Sequence, residues 1–192
     1  MRIVILGAGY VANAYARAVN FLGYHPLLLS RSWIDYTRTD PLRFFMVQFK
    51  PDLVINAAGY TGRSVDDCQS NKTECYQANV VVPRQVALLC AELKVKLLHV
   101  SSGCLFNGEG PFTEEDTPNF LTNFYQQCKH SAEQDILASG VSAWIIRLRM
   151  PFDCFNHPRN WLNKLCAYPK ILDGLNSISF MGPTAMRSFQ LV

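Results

Sequence analysis

The first twelve residues constrain this chain most. Arg2-Ile3-Val4-Ile5-Leu6 is an apolar run without polar alternation, the pattern of a strand covered on both faces in a parallel sheet. Gly7-Ala8-Gly9-Tyr10-Val11-Ala12 follows at once, and a helical stripe of Val11, Tyr15, Ala18, Val19 and Leu22 then runs to Gly23. Strand, Gly-x-Gly-x-x-Ala and helix in that order describe a dinucleotide-binding turn. Gly7 permits the tight turn, Gly9 lets a pyrophosphate approach the backbone, and the small Ala12 suits the place where helix meets strand. Backbone N–H groups at the helix start, from Tyr10 and Val11 onward, would hold the phosphates.

The rest of the chain alternates strands and helices. Pro26–Ser30 reads as the second strand, followed by Arg31. An acidic residue near here would bind a ribose 2′-OH. Ser30 and Arg31 suit a 2′-phosphate instead, so NADPH is the expected cofactor and NADH the alternative. Asp40-Pro41 reads as an N-cap and first helical residue, with Leu42, Phe45, Met46 and Phe49 as the buried face. Leu53–Gly59 is the next strand, and its end (Asn56, Ala57, Ala58, Gly59) has small residues that allow a ligand close. Ser64-Val65-Asp66-Asp67 has the form of a capping box with Asp in place of Glu. A helical region follows over Lys72–Leu93, with Val86, Leu89, Cys90 and Leu93 as its packed face. Pro83 predicts a kink near Val80–Pro83.

Val95–Ser101 is the fourth strand, 107–122 a loop by composition, 123–139 a helix ended by Gly140, and Ala143–Leu148 a buried strand. After Met150, prolines interrupt the pattern around a short helix near 159–168, and the tail from Asn176 has no strong period. The fold class is therefore α/β, a Rossmann-like doubly wound parallel sheet over residues 1–150 with a short, truncated substrate lobe over 151–192. In such sheets ligands sit beyond the carboxyl ends of the strands, where Gly7–Ala12, Ala57–Tyr60 and Ser102–Cys104 would converge.

Composition narrows the function. The 192 residues are 49% hydrophobic, enough for one domain core. A net charge of +3 without a basic run argues against nucleic acid. No span approaches the ~20 apolar residues that cross a membrane, and the N-terminal apolar run is too short for a signal peptide. Seven cysteines with no Cys-x-x-Cys pair read as reduced thiols in a cytoplasmic protein. The four histidines show no metal-ligand spacing and the acids of 109–116 are scattered, so no metal site is expected.

The chemistry concentrates between Leu97 and Lys129. Leu97-Leu98-His99-Val100 ends in Ser101-Ser102-Gly103-Cys104, and some twenty residues later Tyr125-x-x-x-Lys129 sets a phenol and an ammonium one helical turn apart. A hydroxyl, a lysine-activated phenol and a nearby dinucleotide make a carbonyl-reducing site. The expectation is that a Lys129 ammonium stabilises the Tyr125 phenolate and lowers its pKa.

Together these motifs resemble the extended short-chain dehydrogenase/reductase family, and within it the bifunctional nucleotide-sugar 3,5-epimerase/4-reductases that finish rhamnose synthesis. The resemblance is carried by Asn56-Ala57-Ala58-Gly59-Tyr60-Thr61-Gly62-Arg63, Asn79-Val80, Ser102-Gly103-Cys104-Leu105-Phe106, Glu114–Phe120, Phe124-Tyr125-x-x-x-Lys129, Arg147-x-Arg149-Met150-Pro151 and Asn156-x-Pro158-Arg159-Asn160. Asn79 with Pro83 is also similar to dTDP-4-dehydrorhamnose reductase. The glycine spacing is more compact than in that branch, the tail after Ser177 matches it poorly, and the chain ends earlier than such enzymes do.

The resemblance implies residue roles. Tyr125 would protonate the substrate C4 oxygen, Ser102 would hydrogen-bond it, and Lys129 would also hold the nicotinamide ribose. Cys104 matches the family's epimerase cysteine and Lys164 its partner position, with a cation-stabilised thiolate as base. Asn79 joins the cofactor set. Tyr60, Thr61, Arg63, Arg149, Arg159 and Asn160 would take the sugar and its diphosphate. The implied reaction is conversion of an NDP-4-keto-6-deoxyglucose to NDP-L-rhamnose, by epimerisation and then reduction. The alternatives are a 4-reductase alone and a non-catalytic NADP-binding regulatory subunit of the same fold. Implied partners are the nucleotide sugar, a second copy of the chain, or an upstream sugar-nucleotide dehydratase.

Overall fold

The computed structural model describes residues 1–62, 66–108 and 111–166, with side chains through Asn163. Five parallel strands form one sheet in the order β2-β1-β3-β4-β5. They are β1 (Ile3–Leu6), β2 (Leu27–Leu29), β3 (Leu53–Asn56), β4 (Lys96–Ser102) and β5 (Ala143–Leu148). The helices between them are α1 (Tyr10–Phe21), α2 (Thr39–Phe49), α3 (Asp67–Ser70), α4 (Lys72–Tyr76), α5 (Val82–Leu93) and α6 (Phe124–Ala138), with α7 (Trp161–Cys166) after β5.

The uniformly apolar strands are explained by helices on both faces. Val4, Leu6, Val54, Leu97 and Ile145 pack against Leu42 and Met46 of α2, Val86, Leu89 and Cys90 of α5, and Ile136 of α6. Ile3, Ile5 and Ile55 point the other way, onto Ala12 and Val19 of α1. The chain winds outward from β1 to β2 and then returns to β3 on the other side of β1. That reversal makes the β1/β3 boundary the topological switch point, where a doubly wound sheet opens a crevice.

Several local expectations shift. The buried face of α1 is Ala12, Tyr15, Ala16 and Val19, while Ala18 and Leu22 are exposed. Close docking of the helix start on β1 selects the small-residue face, and Phe21 and Leu22 project past the sheet. The N-cap of α2 is Arg38, so Asp40 lies inside the first turn, where its charge suits the helix N-terminus. The expected strand over 53–59 stops at Asn56, whose side-chain oxygen accepts from the Ala58 N–H at 3.2 Å and turns the chain out of the sheet. The kink before Pro83 is a π turn over Gln77–Val81. It delivers Pro83 to the first turn of α5, where a missing N–H costs nothing. The proposed cap at Ser64 and Val65 lies outside the described residues.

One buried ion pair fastens α6 to the sheet. Arg147 of β5 donates to Glu133 of α6 from Nη2 at 2.8 Å and from Nε at 3.2 Å, and Ser101 of β4 donates to the same carboxylate. All three side chains are buried. Removing one partner leaves an uncompensated charge inside the protein. Glu133→Ala is therefore expected to cost about 3–5 kcal/mol of folding stability, measured by urea denaturation.

Candidate active site

The carboxyl ends of β1, β3 and β4 meet along one edge, with Leu6 beside Asn56 and Asn56 beside His99. β4 runs three residues further, to Ser102, and a single 3₁₀ turn (Gly103–Leu105) follows. A cleft of about 1050 Å³ opens over this edge.

Its first wall is the glycine turn. Gly7 has φ +110°, and a Cβ there would lie 3.2 Å from the Ala57 oxygen and the Ala58 nitrogen. Gly9 differs, because nothing lies within 4 Å of where its Cβ would be. Packing therefore does not demand a glycine at that position, and the space it leaves belongs to the cleft. The N-terminus of α1 has no side-chain cap and no acidic residue in its first turn. Its free N–H groups face the same space, which makes a ready anion site. Asn13 braces the turn by donating to the Ala8 and Gly9 carbonyls at 3.0 and 2.9 Å. Asn13 stands one residue beyond the glycine motif, and no sequence pattern signals its role.

Gly7, Gly9, Tyr10 and Val11 line the cleft, as do Ala57, Ala58 and Gly59 on the β3 side. Ser30 and Arg31 line its β2 end with Ser32 and Thr37, and no carboxylate lines that end among the described residues. Ala12 and Asn56 do not line it. Ala12 is buried against β1, and Asn56 is buried beneath the loop it turns. These residues together fit an extended dinucleotide.

The far end holds the reactive groups. Ser102, Cys104, Tyr125 and Lys129 all line the cleft. Ser102 accepts from the Cys104 N–H at 3.2 Å, and its hydroxyl acts on the Tyr125 phenol, favouring the ionised form. Gln126, the next residue on α6, closes a capping box with Asn123 and donates from Nε2 to the Cys104 carbonyl at 2.8 Å. One amide thus ties the helix carrying Tyr125 to the turn carrying Cys104. The spacing Asn123-x-x-Gln126 signals such a box in the sequence, but not its reach to Cys104.

Lys129 corrects the expected electrostatics. Its Nζ donates to the Val100 carbonyl at 2.8 Å and lies 3.3 Å from His99 Nε2. Tyr125 has its pKa raised, first by burial and then by the nearby Cys104, with the Ser102 hydrogen bond opposing. Tyr125 is therefore held as a neutral phenol. Burial lowers Lys129 to about 8, against the pull of Glu133. His99 is fully buried and kept neutral by desolvation and by Lys129.

The residues expected to bind sugar separate. Tyr60, Thr61 and Arg159 line the cleft. Arg159 donates to Thr61 Oγ1 at 2.7 Å and to the Gly62 carbonyl at 2.8 Å. Asn79, on the π turn, lines the cleft but engages Tyr60 from both ends of its amide, at 3.1 and 2.7 Å. Asn160 is buried and donates to the Asp153 and Phe155 carbonyls at 2.8 Å, so it shapes its own loop instead of facing the cleft. Arg149 is half-buried outside the lining. Arg63 and the Lys164 side chain lie outside the described residues. Tyr10 stacks on His157 with ring centroids 4.8 Å apart and feels the nearby Asp153 carboxylate, which pairs with Arg17. The segment after Met150 is thereby strapped to α1. Among the described residues no cluster of ligands could hold a metal, and no helix is long and apolar enough to cross a membrane.

Residues 1–172 match the family described as RmlD substrate binding domain. The chain belongs to that family. It is 37% identical over 142 residues to the bifunctional dTDP-4-dehydrorhamnose 3,5-epimerase/dTDP-4-dehydrorhamnose reductase of Arabidopsis thaliana, covering 69% of this chain and 47% of the relative. It is 33% identical over 150 residues to the dTDP-4-dehydrorhamnose reductase of Mycolicibacterium smegmatis, covering 76% and 44%. It thus spans about half the length of these curated relatives. The fold is similar to that of dTDP-4-dehydrorhamnose reductase from Bacillus anthracis in complex with NADP, with a TM-score of 0.76, 22% identity, and coverage of 88% of this chain and 60% of that one.

Two glycine variants should separate packing from binding. Gly7→Ala is expected to lose about 1–3 kcal/mol of stability in urea titrations, through its left-handed backbone and close contacts. Gly9→Ala should stay within about 0.5 kcal/mol of wild type and instead weaken NADPH binding, read by fluorescence titration. For Lys129, the lowered pKa means that the unfolded chain binds more protons between about pH 8 and the ordinary 10.5. The charge penalty is thus greatest below pH 8 and fades as pH rises. The stability gain of Lys129→Met over wild type should shrink across that window, measured by urea denaturation at several pH values.

Proposed function

We propose that this chain carries the NADPH-binding and catalytic part of a nucleotide-sugar 3,5-epimerase/4-reductase acting on an NDP-4-keto-6-deoxyglucose. The observation that carries the reading is the cleft itself. It begins at the uncapped N-terminus of α1 and ends where Ser102, Cys104 and Tyr125 line one wall together. Family membership and the curated rhamnose-pathway relatives support it. Ser30 and Arg31 at the β2 end favour NADPH over NADH, and the NADP-bound structural neighbour is consistent with that choice.

When bound, NADPH supplies the hydride for C4. The protein's own groups manage the protons. Tyr125, kept as a phenol by burial, donates its proton to the C4 oxygen, and Ser102 donates a hydrogen bond to the same atom. Before that step, the 4-keto group acidifies the hydrogens at C3 and C5. A Cys104 thiolate removes one and becomes a thiol, Ser102 and Tyr125 stabilise the enolate oxygen, and an acid on the opposite face, the place the family resemblance gives to Lys164, returns a proton to the carbon. A thiolate at Cys104 also raises the Tyr125 pKa. Arg159, exposed at the rim beside Thr61, suits a diphosphate oxygen.

NADPH oxidation with UDP- or dTDP-4-keto-6-deoxyglucose tests the reading, and oxidation with neither sugar would overturn it. Tyr125→Phe is expected to lower kcat by about 10²–10⁴. Cys104→Ala should still reduce a pre-epimerised substrate but stop incorporating solvent deuterium at C3 and C5. Undiminished exchange would leave a 4-reductase alone.

A further inference from the structure

Beneath the cleft, four polar contacts join five groups in a continuous line. The Ala58 N–H donates to Asn56 Oδ1 at 3.2 Å. Asn56 Nδ2 lies 3.3 Å from His99 Nδ1, His99 Nε2 lies 3.3 Å from Lys129 Nζ, and Nζ donates to the Val100 carbonyl at 2.8 Å. Asn56, His99 and Lys129 are each buried to 97% or more. We propose that Asn56 and His99 are positioning residues whose hydrogen-bond relay couples the protonation state of Lys129 to the backbone of the cofactor loop at Ala58.

The direction of each bond follows from elementary valence. A backbone N–H can only donate, so the Asn56 atom facing Ala58 is the oxygen. The amide nitrogen then faces His99, and it too can only donate. His99 Nδ1 must accept, so in the neutral imidazole the proton sits on Nε2. That N–H points at Lys129, which can accept it only as an amine, because an ammonium has no lone pair. The bonds as found thus describe a neutral Lys129 that accepts from His99 and donates to Val100.

Protonating Lys129 reverses the line. The ammonium must donate to Nε2, so the imidazole proton moves to Nδ1. The Asn56 amide must then turn its oxygen to Nδ1–H, which presents its NH₂ to the Ala58 N–H and breaks that bond. One proton enters from solvent and one shifts across the ring. The charged and titratable groups that act on Lys129 are Glu133 and Cys128 on α6, Cys75 on α4 and His99 on β4. Of these, only His99 is linked by hydrogen bonds through Asn56 to the loop after β3. The lowered Lys129 pKa places the switch near pH 8.

The inference rests on Lys129 being the lysine of the hydride-transfer site, but its test uses the ligand-free protein. Long-range ¹H–¹⁵N spectra would follow the His99 tautomer from about pH 6.5 to 9.5. Competitive acetylation with mass spectrometry would follow Lys129. The imidazole is expected as Nε2–H at high pH and Nδ1–H at low pH, with the Ala58 amide resonance moving at the Lys129 midpoint, near 8. Asn56→Asp offers only acceptors, satisfies Ala58 and a His99 Nδ1–H together, and should make Lys129 about ten-fold less reactive at pH 8. A single tautomer throughout the Lys129 titration would overturn the relay, as would unchanged Lys129 labelling in folded Asn56→Asp. Wild-type spectra decide the matter if that variant does not fold. Absence of NADPH oxidation would sink the enzymatic reading and leave the relay standing.

Discussion

The molecule depends on how closely two loops can approach where the sheet reverses. Gly7 stands with its α-carbon against the Ala57–Ala58 peptide, in a backbone conformation that a side chain resists. Its N–H bonds the Leu29 carbonyl of β2 at 2.9 Å, while the Ala57 N–H bonds the Leu6 carbonyl of β1 at 3.1 Å. Three strand ends are thus drawn together around one residue without a side chain. The first turn of α1 falls over the crevice as a result, with N–H groups that no side chain caps.

A second joint lies between β4 and α6. Gln126 caps its own helix and grips the Cys104 carbonyl, so Ser102, Cys104 and Tyr125 move as one unit. Two turns along the helix, Glu133 is held by Arg147 and Ser101. Lys129 lies between these anchors and turns inward to β4. Its position answers to buried neighbours more than to solvent.

Much of the fold was legible because it rests on local rules. Apolar runs of four to six residues, turn glycines and the tyrosine–lysine spacing place the sheet edge and the residues upon it. The bounds of β5, Ala143–Leu148, are legible because the run is short and mostly apolar and a glycine stands shortly before it, although Trp144 is exposed and Arg147 is buried in an ion pair. Other features depend on contacts across long stretches of chain. Nothing near Lys129 in sequence announces that His99, thirty residues earlier, meets its amine. Nor does the pattern around Asn160 say whether its amide faces a sugar or its own loop. Short-range spacing reports which groups share an element. It is silent on which of two polar partners a buried group will choose, because that choice depends on tertiary burial.

The strap after Met150 differs in kind from the floor it covers. The floor is joined by backbone approach and by neutral buried amides. The strap is joined by Arg17–Asp153, by Arg159 on Thr61 and Gly62, and by one ring stack, with the arginines partly or wholly open to water. Counter-ions weaken exposed charged contacts and leave buried neutral ones alone. Ionic strength therefore acts selectively on this molecule: rising salt loosens the roof of the cleft while the floor keeps its shape.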